Sequence, residues 1–137
     1  MRIMAIDYGD ARTGVAVSDI SGTLVGDAWV MQERKIESVA EAVANEAALR
    51  EVKAIVVGYP KNMNGTIGPR AEKSEQLSEM LRGICQIPVV LWDERMTTMS
   101  AHRILTDTGR HGKKRKQTVD AVAASLILES YLTYVKN

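Results

Sequence analysis

The chain has 137 residues, of which 45% are hydrophobic and 26% charged, and its formal net charge is +1. These values are typical of one globular domain, residues 1–137, that is large enough to bury a core without disulfides. The single cysteine, Cys85, excludes an internal disulfide and favours a reducing compartment. Because the apolar runs are too short for a signal peptide or for the roughly 20 residues of a membrane span, we expect a soluble cytoplasmic protein.

The first part of the chain predicts three strands joined by turns. Residues 2–7 form an apolar run that ends on Asp7, and residues 13–18 form a second run. The short glycine-containing turn between them favours an antiparallel hairpin. A third strand is expected from Leu24 to Met31. The chain should therefore begin with an antiparallel half-sheet.

The middle of the chain predicts an alternation of helices and strands. One set of apolar residues recurs at helical spacing and predicts an amphipathic helix: Ile36, Val39, Ala40, Val43 and Ala47. The apolar stretch from Lys53 to Gly58 is typical of a short buried strand. A second set of residues at helical spacing follows it: Leu77, Met80, Leu81 and Ile84.

The last part of the chain predicts a fifth strand at Pro88–Trp92, a helix at Thr98–Thr108 and a final helix from about Thr118 to Tyr134. The final helix is apolar nearly all round and should be largely buried. Between the two helices, Gly109–Lys116 combines glycine with dense positive charge, which is typical of a mobile loop.

The resulting element order, β-β-β-α-β-α-β-α-α, predicts an α/β fold with a mixed five-stranded sheet flanked by helices. The first three strands should be antiparallel and the later ones parallel, with the first strand central, between the second and the fourth. Ligands gather at the carboxyl ends of parallel strands. Asp7, Gly58 and the Asp93–Glu94 pair all follow such ends, so we expect a site there.

Four carboxylates are candidates for that site: Asp7, Asp93, Glu94 and Asp120, the last at the predicted start of the final helix. Acids that meet at one end of a sheet repel each other and partly protonate unless a divalent cation neutralises them. Oxygen ligands of this kind suit Mg²⁺ or Mn²⁺ better than Zn²⁺. Such ions support hydrolysis of a phosphodiester without a protein nucleophile. The acids therefore predict a metal-dependent site for phosphodiester hydrolysis.

Each acid also has an ordinary structural interpretation. Asp120 could favour the helix dipole from the first turn. The Asp93–Glu94–Arg95 run could be a surface salt-bridge cluster, and Asp7 could stabilise the turn that contains Gly9. Taken one at a time, these residues leave both interpretations open.

A dense cluster of positive charge precedes Asp120 and contains no acid: Arg110, Lys113, Lys114, Arg115 and Lys116. A protein that is nearly neutral overall but locally this basic suits phosphate binding close to the predicted metal site. A solvated loop without a partner has the same composition.

Four stretches of the chain resemble the YqgF (RuvX) family of the RNase H-like superfamily, relatives of the Holliday-junction resolvase RuvC. They are DYGDARTGVAVSD (7–19), VVGYPKNMNGTIGPRA (56–71), DERMTTMSA (93–101) and KKRKQTVDAVAASLILESYL (113–132). They keep the family's order from end to end. The resemblance implies an RNase H-like three-layer fold and a metal-dependent nuclease that matures the 5′ end of pre-16S ribosomal RNA, once supposed to be a junction resolvase.

By this resemblance, the family's acidic set falls on Asp7, Glu94 and Asp120, with Asp93 beside it. A second set matches motif positions that suit phosphate binding: Arg12, Arg95, Thr97, Thr98 and Lys116. The chain departs from RuvC-type enzymes at the fourth strand, where they carry a carboxylate and this chain has Val57-Gly58-Tyr59-Pro60. We expect the missing acid to be replaced from the fifth strand, by Asp93 and Glu94.

The segment from Gly58 to Pro69 is rich in turn-forming residues and follows a strand end beside Asp7. We expect it to border the substrate groove, with Lys61 and Arg70 near phosphates. A purely structural connector would have a similar sequence.

Two other classes of protein remain as alternatives. Asp-Tyr-Gly followed by a second glycine resembles the first phosphate loop of actin-like ATPases and sugar kinases, which need a second, similar domain to close over the nucleotide. A non-catalytic nucleic-acid-binding module would use the basic cluster to bind RNA and keep the acids for structure. Asp7→Asn separates a nuclease from such a module, because only the nuclease loses an activity.

Overall fold

The computed structural model describes residues 1–96 and 112–136, with side chains described for residues 1–96 and 119–135. The strands are β1 (Arg2–Asp7), β2 (Thr13–Ser18), β3 (Val25–Met31), β4 (Val52–Tyr59) and β5 (Val89–Asp93). The helices are α1 (Ile36–Leu49), α2 (Pro69–Ile84) and α3 (Gly112–Lys136). A single 3₁₀ turn, Glu94–Met96, follows β5.

The strands form one mixed sheet in the order β3-β2-β1-β4-β5. The β1–β2 and β2–β3 pairs are antiparallel, and the β1–β4 and β4–β5 pairs are parallel. This confirms the predicted sheet, with β1 at its centre. The carboxyl ends of β1, β4 and β5 consequently lie side by side at one end of the sheet.

Local sequence explains several features of these elements. In α1, the residues with the predicted helical spacing form the buried face: Val39, Ala40, Val43 and Ala47. Helix α2 begins at Pro69, whose fixed φ and missing N–H suit the first helical position. The hairpin closes over the short turn between Asp7 and Thr13, as predicted.

The two faces of the sheet carry side chains of different size. Large side chains cover the face that packs against α1 and α2, among them Met4, Ile6, Val15, Ile55 and Val57. Smaller ones face α3, among them Ala5, Ala16 and Ala54. The small side chains let α3 approach the sheet closely.

The final helix differs from its prediction in two ways. It begins at Gly112 rather than near Thr118, so Gly112–Lys116 is helical rather than part of a loop. The straight side chains of this stretch favour helix, and that propensity outweighs the charge repulsion and the glycine. The helix is also less buried than expected, because one side packs on the sheet while Glu129 and Thr133–Val135 are exposed.

The predicted helix at Thr98–Thr108 lies outside the described residues. Within the described part of the chain, no helix is both long and apolar enough to cross a membrane.

Candidate active site

Asp7 is a buried carboxylate at the end of the central strand. It stands opposite Gly14 of β2 and alternates with Ile3 and Ala5, so its side chain lies on the α3 face of the sheet. Only 9% of the residue is exposed. No donor within the described residues hydrogen-bonds to its carboxylate. Burial, and then the nearby charge of Glu94, raise the pKa of Asp7 to about 8, with Arg70 opposing and Asp120 adding to the shift.

Glu94 reaches the same place from β5. It begins the 3₁₀ turn, and its Oε2 atom lies 2.8 Å from the position that a Cβ on Gly58 would take. Gly58, the last but one residue of β4, lies beside Asp7 at the position where the sequence lacks an acid. Burial raises the pKa of Glu94; the positive charge of Arg70 opposes that rise, and the negative charge of Asp93 adds to it. A carboxylate from the fifth strand thus fills the space beside β4.

Asp120 comes to the site from α3, on the other side of Asp7. It lies about two turns into the helix, so the predicted position in the first turn is wrong. Its Oδ2 accepts a hydrogen bond from Arg12 Nε at 2.9 Å, and both side chains are partly exposed. Asp120 is therefore close enough to act on Asp7 while its own charge is balanced by Arg12.

Asp93 lies on the other face of the sheet from Asp7, although it precedes Glu94 and its charge adds to the rise in the pKa of Glu94. It ends β5 on the opposite face from Trp92, whose side chain packs in the α3 layer. Its carboxylate binds Arg95, with Nη2 to Oδ2 at 2.6 Å and Nε to Oδ2 at 2.9 Å. These contacts hold the pKa of Asp93 below its usual range. Of the two neighbouring acids, Glu94 is the one that the structure brings to Asp7.

The residues predicted to bind phosphate lie at different places around the acids. Arg70 is exposed at the start of α2, and its charge acts on both Asp7 and Glu94. Lys61 lies with Nζ 5.5 Å from the centre of the Tyr59 ring. The other residues predicted to bind phosphate form three groups. Arg12 and Arg95 are paired with acids, Thr97 and Thr98 lie outside the described residues, and only the backbone is described for Lys113, Lys114, Arg115 and Lys116.

The loop before α2 has the turn structure that its sequence predicts. Asn62 N donates to Thr66 O, Gly65 N donates to Asn62 O, and Thr66 N donates to Asn64 Oδ1. Gly65 has a φ of 87°, a value that favours glycine. The Nη1 atom of Arg95 lies 3.4 Å from Met63 O, which connects this loop to the turn after β5.

Comparison with known proteins identifies the family. The RuvX family model, described as "Holliday junction resolvase", matches residues 1–134. The chain belongs to the RuvX family. A curated relative from Halothermothrix orenii, named "Putative pre-16S rRNA nuclease", is 44% identical over 134 residues, which cover 98% of this chain and 96% of that protein.

Two solved structures share the fold of this RuvX-family chain. Thermus thermophilus RuvC in complex with a Holliday junction matches with a TM-score of 0.64 and 12% identity, over 98% of this chain and 96% of that chain. Fowlpox virus resolvase, in complex with Holliday junction DNA, matches with a TM-score of 0.64 and 14% identity over 100% of both chains. The RNase H-like fold expected from the resemblance is confirmed.

The carboxylates of this RuvX-family chain suit a divalent cation by their chemistry. Within the described residues, no three His, Cys, Asp or Glu side chains are already arranged as a metal-binding group. One of the acids near Asp7, Asp120, is held in an ion pair with Arg12. However, Asp7 is a buried acid that lacks a donor within the described residues, and Glu94 lies nearby. Carboxylate oxygens of this kind are ligands that hard divalent cations take.

Three features of the site escaped the sequence interpretation. The pairing of Arg12 with Asp120 joins residues far apart in sequence, and no local pattern indicates it. Gly14 and Gly58 allow close approaches to the sheet on either side of Asp7. For these two a signal was present, because a glycine inside a strand pattern marks a close approach of another group.

Proposed function

We propose that this RuvX-family chain is a divalent-cation-dependent nuclease that hydrolyses phosphodiester bonds in RNA, with the 5′ end of pre-16S ribosomal RNA as its natural substrate. The observation that carries the proposal is the buried Asp7 carboxylate, which faces Glu94 and lies near Asp120 without a hydrogen-bond donor among the described residues. A buried acid without a partner is costly, and a cation would offset that cost. The name of the H. orenii relative supports the choice of RNA.

Asp7, Glu94 and Asp120 would hold Mg²⁺ or Mn²⁺. When bound, such an ion polarises a phosphoryl oxygen and lowers the pKa of a water molecule. With a pKa of about 8, much of Asp7 is protonated at neutral pH. Because a carboxyl group binds a cation in its ionised form, Asp7 must lose its proton to act as a ligand. Because Arg12 binds Asp120, it must also share or release that carboxylate when the cation is bound.

Cationic side chains around the acids would hold the RNA backbone. Arg70 is exposed and close enough to the acids to act on their pKa values, which suits a contact with the phosphate that reacts. Lys61 and the basic residues of α3 would bind phosphates further along the strand. Such contacts orient a nucleic acid without reading its bases, so recognition by RNA shape is expected.

One observation favours a second candidate, the non-catalytic nucleic-acid-binding module. Arg12 already neutralises Asp120 at 2.9 Å, as expected if this acid serves the structure. In that case the acids would stabilise the strand ends, and the basic residues alone would bind RNA.

The decisive experiment compares Asp7→Asn with Asp10→Asn on a structured RNA that carries the 5′ end of pre-16S rRNA, with branched DNA as the competing substrate. Asp10 is a matched control because it is an exposed acid in the same turn, paired with Lys73. We expect Mn²⁺ or Mg²⁺ to support cleavage by the wild type and by Asp10→Asn, and EDTA to stop it. Asp7→Asn should bind the RNA without cutting it. Cleavage by Asp7→Asn at the wild-type rate would overturn the proposal.

A further inference from the structure

Glycine stands on both sides of Asp7 in the sheet. Gly14 of β2 is its register partner, and Gly58 of β4 lies one position beyond the Ile6–Val57 pair. Both positions lie on the α3 face, as does Asp7, because residues side by side in neighbouring strands point the same way. The central acid is therefore flanked by two positions without side chains.

Each of these gaps is filled by one of the other two acidic residues. A Cβ on Gly14 would overlap with the backbone of Asp120, with the carbonyl carbon only 2.6 Å away. A Cβ on Gly58 would lie 2.8 Å from Glu94 Oε2 and 2.7 Å from Ile127 Cδ1. Real Cβ atoms do not approach other atoms this closely, so a side chain at either position would displace an acid.

Two other glycines also meet backbone closely, but neither contact involves an acidic residue: a Cβ on Gly9 would lie 2.5 Å from Arg12 O, and one on Gly22 would lie 2.6 Å from Met1 O. A Cβ on Gly26 of β3 would make contacts of 3.4 Å, which neighbouring atoms accommodate with small shifts, and a Cβ on Gly83 of α2 would meet nothing within 4 Å. Among the glycines of the described residues, Gly14 and Gly58 are therefore the ones at which a Cβ would come within 3 Å of an acidic residue.

We propose that Gly14 and Gly58 are positioning residues of the carboxylate site: their missing side chains let the Asp120 backbone and the Glu94 carboxylate come up beside Asp7. The inference rests on the proposed nuclease function. It assigns the geometry of the cation ligands to two residues that bind neither cation nor RNA. Glu94 can occupy its place beside β4 only because position 58 carries no side chain.

The test uses Gly58, because a side chain at Gly14 meets backbone and the variant risks unfolding. Gly58→Ala is made in an Ile127→Val background, since valine lacks the Cδ1 atom that the new methyl group would meet. The remaining close contact is then the one with Glu94. Gly83→Ala is the matched control, the same chemical change in open space.

Three quantities are measured for each variant: Mn²⁺ affinity by calorimetry, the melting temperature without cation, and RNA affinity in EDTA. Relative to Ile127→Val alone, we expect Gly58→Ala to weaken Mn²⁺ binding at least about tenfold. Its melting temperature and RNA affinity should stay unchanged. The Mn²⁺ concentration that gives half-maximal cleavage should rise in parallel. Gly83→Ala should leave Mn²⁺ affinity as in the wild type.

The possible outcomes separate the two proposals. Mn²⁺ binding by the wild type together with an affinity within twofold in Gly58→Ala would overturn the positioning role alone. Weaker Mn²⁺ binding that is matched by an equal loss of melting temperature and RNA affinity would also overturn it, because the methyl group would then act through the fold. Failure of the wild type to bind Mn²⁺ would overturn the nuclease proposal and the positioning role with it.

Discussion

The two faces of the central sheet bury different kinds of side chain. On the face towards α1 and α2, large apolar side chains of the sheet such as Ile6 and Val57 pack with side chains of the helices such as Leu77 of α2, and each is inaccessible to solvent. The face towards α3 has alanine or glycine at several strand positions, beside Ile3 and Val56, and the acids lie at its carboxyl end. The first face contributes the apolar burial that stabilises the fold. On the second face, small residues leave room for Glu94 and Asp120, from distant segments, to lie beside Asp7.

The same contrast is visible in the neighbouring acids Asp93 and Glu94. On the face of the sheet opposite to α3, Arg95 pairs with Asp93 and lowers its pKa. On the other side, burial raises the pKa of Glu94. A carboxyl group whose pKa burial raises at the end of parallel strands is a feature of functional sites.

Glu94→Gln should have the largest effect on the α3 face. Loss of a ligand removes several kcal/mol of stabilisation of the developing charge, so cleavage should fall by at least about a thousandfold. The melting temperature without cation should be unchanged or higher, because the variant no longer buries an acid. Single-turnover cleavage and thermal unfolding measure the two effects. Wild-type cleavage by this variant would contradict the assignment of Glu94.

Leu77→Ala should produce the opposite pattern on the other face. Truncation of this fully buried side chain should cost about 2–5 kcal/mol of the free energy of unfolding. Cleavage by the protein that remains folded should be close to that of the wild type. Urea unfolding and activity at low temperature test this. A large loss of activity without a loss of stability would mean that the two faces are not functionally separate.

The basic stretch of α3 should contribute to binding rather than to chemistry. Changing Lys113, Lys114 and Arg115 to Ala should weaken RNA binding equally for unrelated sequences. The slope of log affinity against log salt should fall by about 0.7–0.9 for each phosphate that the variant no longer neutralises. Cleavage at saturating RNA should change less than affinity. An unchanged salt slope would show that these residues are merely solvated.

The pH dependence of stability should identify the buried acid. Folding raises the pKa of Asp7 from 3.8 to about 8, so the folded protein keeps a proton there that the unfolded chain releases in this range. Raising the pH from 4 to 8 therefore lowers the free energy of unfolding without cation, by at most about 1.4 kcal/mol per pH unit. Asp7→Asn should remove this contribution, and Asp10→Asn should retain it. Cation affinity should show the opposite trend and rise with pH.

Asp93→Asn should have the smallest effect. It breaks a partly exposed ion pair with Arg95, which is worth roughly 1 kcal/mol or less. Cleavage should stay within a few-fold of the wild type. A decrease as large as that of Glu94→Gln would show that Asp93 is a ligand, as predicted from the sequence, and that the two acids are not separated by the sheet.

Local sequence patterns were sufficient to predict the strands and the first two helices. The apolar run in Arg2–Asp7 and the helical spacing of apolar residues in Ile36–Ala47 each depend on residues a few positions apart, and both elements formed where they were predicted. The pattern failed at the start of α3. There charge and Gly112 suggested a loop, but the helix propensity of the straight side chains extended the helix over Lys113–Lys116.

By itself, the sequence determined the sheet, the position of Asp7 at a strand end, and the set of acids from which a site could be built. The tertiary structure decided which acids meet. The pleat of β5 and the turn after it turned Asp93 away and Glu94 inward. The packing of α3 on Gly14 brought Asp120 to Asp7 and to Arg12. These choices depend on contacts between residues far apart along the chain, whose geometry is fixed only when the helices pack on the sheet.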